Sequence, residues 1–121
     1  MYCIIGIGSN ENPKHYCDLM IEALKNQFDD ILVSDLYTTP ALGMAAVEYI
    51  NAVVLFHTNF TYSRLKAWCR SIEEKLGRVR GQTSCCADLD ILYFSDIKPV
   101  PTNLKKQDPY YEKGLKQLLT A

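Results

Sequence analysis

The chain has 121 residues, 48% of them hydrophobic and 22% charged, with a formal net charge of −1. That length predicts a single domain over 1–121, with enough apolar content to pack a core without external staples. The near-neutral balance excludes the basic surplus of a nucleic-acid binder, and no apolar run approaches the roughly 18 residues that span a membrane.

The opening Met1-Tyr2-Cys3-Ile4-Ile5-Gly6 lacks a basic n-region, so no secretory leader is expected. Tyr2 to Ile7 reads as a short buried strand, closed by Gly8-Ser9-Asn10. Asn12 is placed to cap a helix with Pro13 at its first position. Tyr16, Leu19, Met20, Ala23 and Leu24 then share one face as far as about Phe28. Ile31 to Tyr37 is rich in β-branched and aromatic residues and predicts a second strand. Pro40 and Gly43 mark Thr38 to Val47 as a loop longer than a hairpin needs, the kind that carries function.

Tyr49 to Thr58 is the clearest strand. Thr61 caps a second helix, with Leu65, Trp68, Cys69, Ile72 and Leu76 at helical spacing and Gly77 at its end. A polar loop, Arg78 to Cys86, leads into a fourth strand over about Ala87 to Phe94. From Ser95 the chain carries Pro99, Pro101 and Pro109, and a short helix is expected over 110–119. The order is β-α-β-β-α-β. It predicts an α+β, ferredoxin-like domain: a four-stranded antiparallel sheet with two helices on one face. The core would be 1–95 and the tail 96–121. That architecture hosts many activities, so function must be read from the side chains.

Asp88-Leu89-Asp90 is the strongest local signal. Residues two apart on a strand face the same way, so the two carboxylates converge and favour a cation between or beside them. Hard oxygen ligands suit magnesium, which commonly joins one or two carboxylates to substrate phosphates. The competing interpretation is a solvated strand start. Arg78 and Arg80 repeat the two-residue spacing just upstream, and guanidinium forks bind phosphate oxygens. They could equally complement the helix C-terminus before them. An acidic pair beside an arginine pair is the layout phosphoryl transfer uses. Tyr49 and Asn51 are also two apart and offer a stacking face and an amide to a flat heterocycle. Core packing for Tyr49 and a loop hydrogen bond for Asn51 are the alternatives.

Other features read as structural. Gly6-Ile7-Gly8-Ser9-Asn10 lacks the third glycine of a dinucleotide loop and any Walker lysine, and reads as a tight strand exit. His15 and His57 have no ligand partners at metal spacing, and Trp68 lies on an apolar face. Cys3, Cys17, Cys69, Cys85 and Cys86 are odd in number and irregularly spaced. They predict free thiols in a reducing cytoplasm, without a zinc site.

Five stretches in order resemble the 6-hydroxymethyl-7,8-dihydropterin pyrophosphokinase family. They are Ile5–Asn10, Tyr37-Thr38-Thr39-Pro40-Ala41-Leu42-Gly43, Tyr49–Val54, Ile72–Arg80 and Asp88–Leu92. The resemblance implies transfer of the β,γ-pyrophosphoryl unit of ATP to the hydroxymethyl group of a pterin, with two magnesium ions on Asp88 and Asp90. It implies pterin contacts from Thr39, Pro40, Leu42, Tyr49 and Asn51. Glu73, Arg78, Arg80 and Ile91 would lie along ATP. ATP and the pterin would be the partners of a cytoplasmic monomer, with neither nucleic acid nor membrane involved.

The sequence also departs from the family. Gln82-Thr83-Ser84-Cys85-Cys86 stands where relatives carry tryptophan and arginines, with Cys85 at an arginine position. Val100-Pro101-Thr102 lacks the family histidine, and no aromatic residue is evident after it to close the pterin sandwich, although Asp108-Pro109-Tyr110 offers another register. Lys98, Lys105, Lys106 and Lys113 are candidates for replacing the lost charge. Two other functions stay open on the sequence: a paralogue that binds nucleotide or pterin without turnover, and an interaction module of the same fold.

Overall fold

A computed structural model describes residues 1–40, 48–81, 84–101, 104 and 109–119. Its order is β1 (Tyr2–Ser9), α1 (Pro13–Gln27), β2 (Leu32–Val33), β3 (Tyr37–Pro40), β4 (Glu48–His57), α2 (Tyr62–Lys75), β5 (Asp88–Ser95) and α3 (Glu112–Leu119). The strands form one antiparallel 5-stranded sheet, ordered β2-β4-β1-β5 with β3 also on β4. No helix among the described residues is long and apolar enough to cross a membrane.

The α+β class and both long helices match the sequence expectation, but the four-stranded sheet does not. The strand expected over 31–37 is two strands. Val33 faces Val54 and Tyr37 faces Asn51, so one segment advances four residues while its partner advances three. The surplus residue is a bulge. Ser34 makes it tolerable: its hydroxyl accepts the Val53 N–H at 2.8 Å and its own N–H bonds the Val53 carbonyl at 2.9 Å. A side-chain oxygen standing in for a ladder carbonyl leaves no trace in hydrophobic period. Residues 38–40, expected in a loop, join Tyr37 in β3, paired with β4.

Helix ends follow local chemistry. The Thr61 hydroxyl accepts the Arg64 N–H at 3.2 Å, a side-chain cap for α2. Asn12 occupies the cap position of α1 with a left-handed backbone (φ 44) and makes no side-chain cap bond. Pro13, already set for helical φ, starts that helix.

α1 and α2 pack on one face of the sheet. Their Cys17, Met20, Leu24, Leu65 and Cys69 meet Cys3, Ile5, Ile7, Val54 and Leu89 in the main core. Phe28 stacks on Phe56 at 4.3 Å and lies edge-on to Trp68, which confirms Trp68 as a packing residue. All five cysteines are free, and burial lifts the Cys17 and Cys69 thiols to about 12.

The short helix expected over 110–119 is α3, and it covers the opposite face of the sheet, where the sequence placed helices on one face alone. Tyr111 and Leu115 pack on Ile4 and Val53 in a second, smaller core. α3 is seated by the strand break: Gln117 accepts the Asp35 N–H at 2.9 Å, and the Tyr37 hydroxyl donates to the Tyr110 carbonyl at 2.7 Å.

Candidate active site

The register of β1 assembles the site. Gly8 lies opposite Asn51 on one side and Asp88 on the other, and Gly6 lies opposite Val53 and Asp90. Directly paired residues share a sheet face, so Asp88, Asp90, Gly6, Gly8 and Asn51 all look toward the α3 side. The acidic pair and the Asn51 amide therefore stand two strand spacings apart, about 10 Å, across a floor with no side chains. A Cβ added at Gly6 would sit 2.5 Å from the Tyr111 ring, and one at Gly8 would sit 2.9 Å from the Asn51 amide nitrogen. Gly6 and Gly8 thus lie inside β1 as a floor without side chains of its own, onto which the Tyr111 ring and the Asn51 amide close. They are not the strand exit that the sequence suggested, since β1 runs on to Ser9.

The two carboxylates converge as their spacing requires. One phenol reaches both: the Tyr111 hydroxyl is 3.1 Å from Asp90 Oδ2 and 3.5 Å from Asp88 Oδ2. Asp88 Oδ1 takes a 3.0 Å bond from Arg78. Burial pushes the Asp88 carboxyl above its ordinary value, although the Arg78 charge pulls it back toward ionisation. The pair is neither exposed nor a loose strand start.

Glu73 organises the arginines. It is only 3% exposed. Its Oε2 accepts Arg78 at 2.6 Å and the Leu89 N–H at 2.9 Å, and its Oε1 accepts Arg80 at 2.9 Å. Arg78 also reaches the Ala87 carbonyl at 3.3 Å. Burial works against the Arg78 charge, yet Cys85, Glu73 and Asp88 around it lift the guanidinium above its usual range. Arg78 is therefore tied to β5 through Asp88 as well as to α2 through Glu73, whereas Arg80 reaches Glu73 of α2. Glu73, expected along the nucleotide, has both oxygens engaged in positioning them.

These groups line a cleft of about 460 Å³ between α2 and β5, which also takes in Ile91. Lys66 and Arg70 line it as well. The sequence reading passed over both, although Lys66, Arg70 and Glu73 recur at helical spacing on one face of α2.

On the other side of the Gly8 floor, Asn51 is buried at 1% exposure. Its Oδ1 accepts the Thr39 hydroxyl at 2.5 Å, and its amide donates to the Ile7 carbonyl at 3.3 Å. The bond runs to strand backbone and not to a neighbouring loop. The Tyr49 ring faces Tyr110 with centroids 5.3 Å apart and planes at 53°. Tyr110, which the sequence offered through the Asp108-Pro109-Tyr110 register, is thus the aromatic residue that stands against Tyr49. Leu42, Lys105 and Lys106 lie outside the described residues, as does the Pro40 side chain. Lys113 lies over the Tyr37 ring at 5.8 Å.

The segment before β5 is pinned to the end of β1. Asn10 Oδ1 accepts the Cys85 N–H at 2.5 Å, and the Asn10 N–H bonds the Cys85 carbonyl at 2.9 Å. Burial pushes the Cys85 thiol to about 11, so it is neutral near pH 7 and supplies no phosphate-binding charge.

Among the described residues no cluster of three or more His, Cys, Asp or Glu could hold a metal by itself. Two carboxylates on one strand do fit magnesium, which takes few protein oxygens and completes its shell with phosphate and water. The family model described as 7,8-dihydro-6-hydroxymethylpterin-pyrophosphokinase (HPPK) matches residues 4–119. Comparison with curated proteins returned no match.

Proposed function

The chain belongs to the 7,8-dihydro-6-hydroxymethylpterin-pyrophosphokinase family, and we propose that it moves the β,γ-pyrophosphoryl unit of ATP onto the hydroxymethyl group of that pterin, with magnesium dependence. The pterin hydroxyl oxygen forms the new bond to the β-phosphorus. The bond from that phosphorus to the oxygen bridging to the α-phosphate breaks, AMP leaves, and the hydroxyl proton passes to solvent. A magnesium ion held by Asp88 and Asp90 supplies charge neutralisation for the phosphates.

The remaining work falls to this chain's own side chains. Arg78 and Arg80, fixed by Glu73, face the phosphates, and Lys66 and Arg70 add charge along the cleft wall. Ile91 offers an apolar contact to the adenine. Tyr49 and Tyr110 flank the pterin plane, which enters by opening their tilted contact, and Asn51, oriented by Thr39, reads its edge. Holding two flat substrates with the reacting atoms aligned is the main source of rate in such a reaction. On this reading the enzyme is a cytosolic monomer, and its binding partners are the two small substrates.

The observation that carries the proposal is the juxtaposition across β1: acidic pair and arginines on one side of Gly8, amide and aromatics on the other. The test is AMP release from ATP by the purified chain. AMP is expected only with hydroxymethyldihydropterin and magnesium both present, and its absence under those conditions overturns the proposal. A second reading, binding without turnover, is favoured by the neutral Cys85 thiol at the position where relatives carry an arginine. Tight binding of both substrates without AMP would establish it instead.

A further inference from the structure

α3 is introduced by two tyrosines that reach opposite halves of the site. Tyr110 stands against Tyr49. Tyr111 is 2% exposed, and its ring fills the space above Gly6. Its carbonyl accepts the Leu115 N–H at 2.9 Å, the first turn of the helix, so its place is fixed by the seating of α3 on Ile4 and Val53. A phenol has one proton to donate. The shorter contact, 3.1 Å to Asp90 Oδ2, takes it, and the hydroxyl oxygen lies 3.5 Å from Asp88 Oδ2.

We propose that Tyr111 is a positioning residue for the acidic pair. Its hydroxyl, held by α3, fixes the rotamer of Asp90 and brackets Asp88 against Arg78. Three arguments support this. First, a buried hydroxyl without a hydrogen bond is costly, so the phenol commits to the carboxylates and in return restrains them. Second, Asp88 is gripped from two sides, with Oδ1 on Arg78 and Oδ2 beside Tyr111, whereas the Asp90 carboxylate takes the stronger of the two phenol contacts. Third, Gly6 is what lets the ring in, because any side chain there would occupy its position.

The adjacency of Tyr110 and Tyr111 adds a consequence. One dipeptide touches both the Tyr49 ring and the carboxylates of Asp88 and Asp90, so the two halves of the site share a support in α3.

This inference rests on the reading of Asp88 and Asp90 as a cation site, and Tyr111→Phe tests it. The phenylalanine keeps the ring over Gly6 and removes only the hydroxyl. Manganese binding, followed by electron paramagnetic resonance with α,β-methylene-ATP present, should weaken about 10- to 100-fold, the usual effect of losing a residue that orients metal ligands. Tyr93→Phe is the control, since that hydroxyl donates instead to the Ile97 carbonyl at 2.6 Å, and it should bind manganese as the wild type does. Thermal unfolding in EDTA reports whether the Tyr111→Phe fold is intact. Equal manganese affinity in wild type and Tyr111→Phe overturns the positioning role alone. A wild-type protein that binds no manganese overturns the cation site and the positioning role with it.

Discussion

Replacing Glu73 with glutamine is the sharpest perturbation of the arginine scaffold. The wild-type side chain is 4% exposed and accepts from Arg78, Arg80 and the Leu89 backbone. Glutamine has the same shape, but it has one acceptor oxygen where the carboxylate has two, and its NH2 group faces donors. With that oxygen toward Arg78 and the Leu89 N–H, Arg78, itself only 20% exposed, loses the charge of its shortest partner and keeps that of Asp88. Breaking a buried pair by altering one member costs about 3–5 kcal/mol. The Arg80 contact adds little, about 0–1 kcal/mol, because that side chain is 55% exposed and solvent screens it. Taking about 3 kcal/mol as the net, a domain of this size should lose roughly 9–15 °C in Tm. Circular dichroism melts at pH 7 measure this directly, with Arg80→Gln alongside, for which a loss of under about 1 kcal/mol is expected. A Glu73→Gln melt within 2 °C or so of wild type would refute the reasoning, as would an Arg80→Gln variant equally destabilised.

Three further outcomes follow from the same packing. Gly6→Ala places a Cβ 2.5 Å from the Tyr111 ring; overpacking of this kind costs about 1–3 kcal/mol, and urea midpoints should fall accordingly. Gly114→Ala sets two effects against each other. Helix propensity favours alanine by about 1 kcal/mol, but its Cβ would lie 2.5 Å from Val53 Cγ2. The clash should win, and a stabilised variant would show that α3 is not seated as described. Alkaline stability is the third. Burial lifts the Cys17 and Cys69 thiols from 9.0 to about 12, so between those values the native state keeps protons that the unfolded chain has lost. Stability is then complete below pH 9 and falls as pH rises toward 12, by on the order of 1.4 kcal/mol per pH unit for each thiol. Urea midpoints at pH 8 and pH 10 check the slope, which should be shallower in Cys69→Ala.

Much of this was legible in the residues, and what was not has physical causes. Asp88 and Asp90 were readable because period two on a strand fixes their common direction, and one phenol reaches both. Thr61 announced α2 because a capping hydroxyl acts on its own neighbours. The break at Ser34 was invisible because its hydroxyl replaces a backbone group of a distant strand, Val53, which no local pattern encodes. Gly6 and Gly8 were mistaken for an exit because glycine marks turns and bare floors alike, and only the register against Asn51 and Asp90 separates the two. Tyr110 stood only as another register of an incomplete motif, and Tyr111 only as part of a terminal helix, because their partners, Tyr49 and Asp90, lie more than twenty residues away in the chain. Their signal was an aromatic pair just ahead of an amphipathic segment whose apolar face had no stated partner.

Product analysis tests the central claim most directly. With ATP, magnesium and hydroxymethyldihydropterin, 31P NMR should show AMP and a pterin diphosphate appearing in equal amounts. Asp88→Ala should slow their formation by a hundredfold or more, on the order of the 3 kcal/mol that a charged transition-state partner contributes. Formation of ADP and a pterin monophosphate, or an Asp88→Ala rate equal to wild type, would contradict the account.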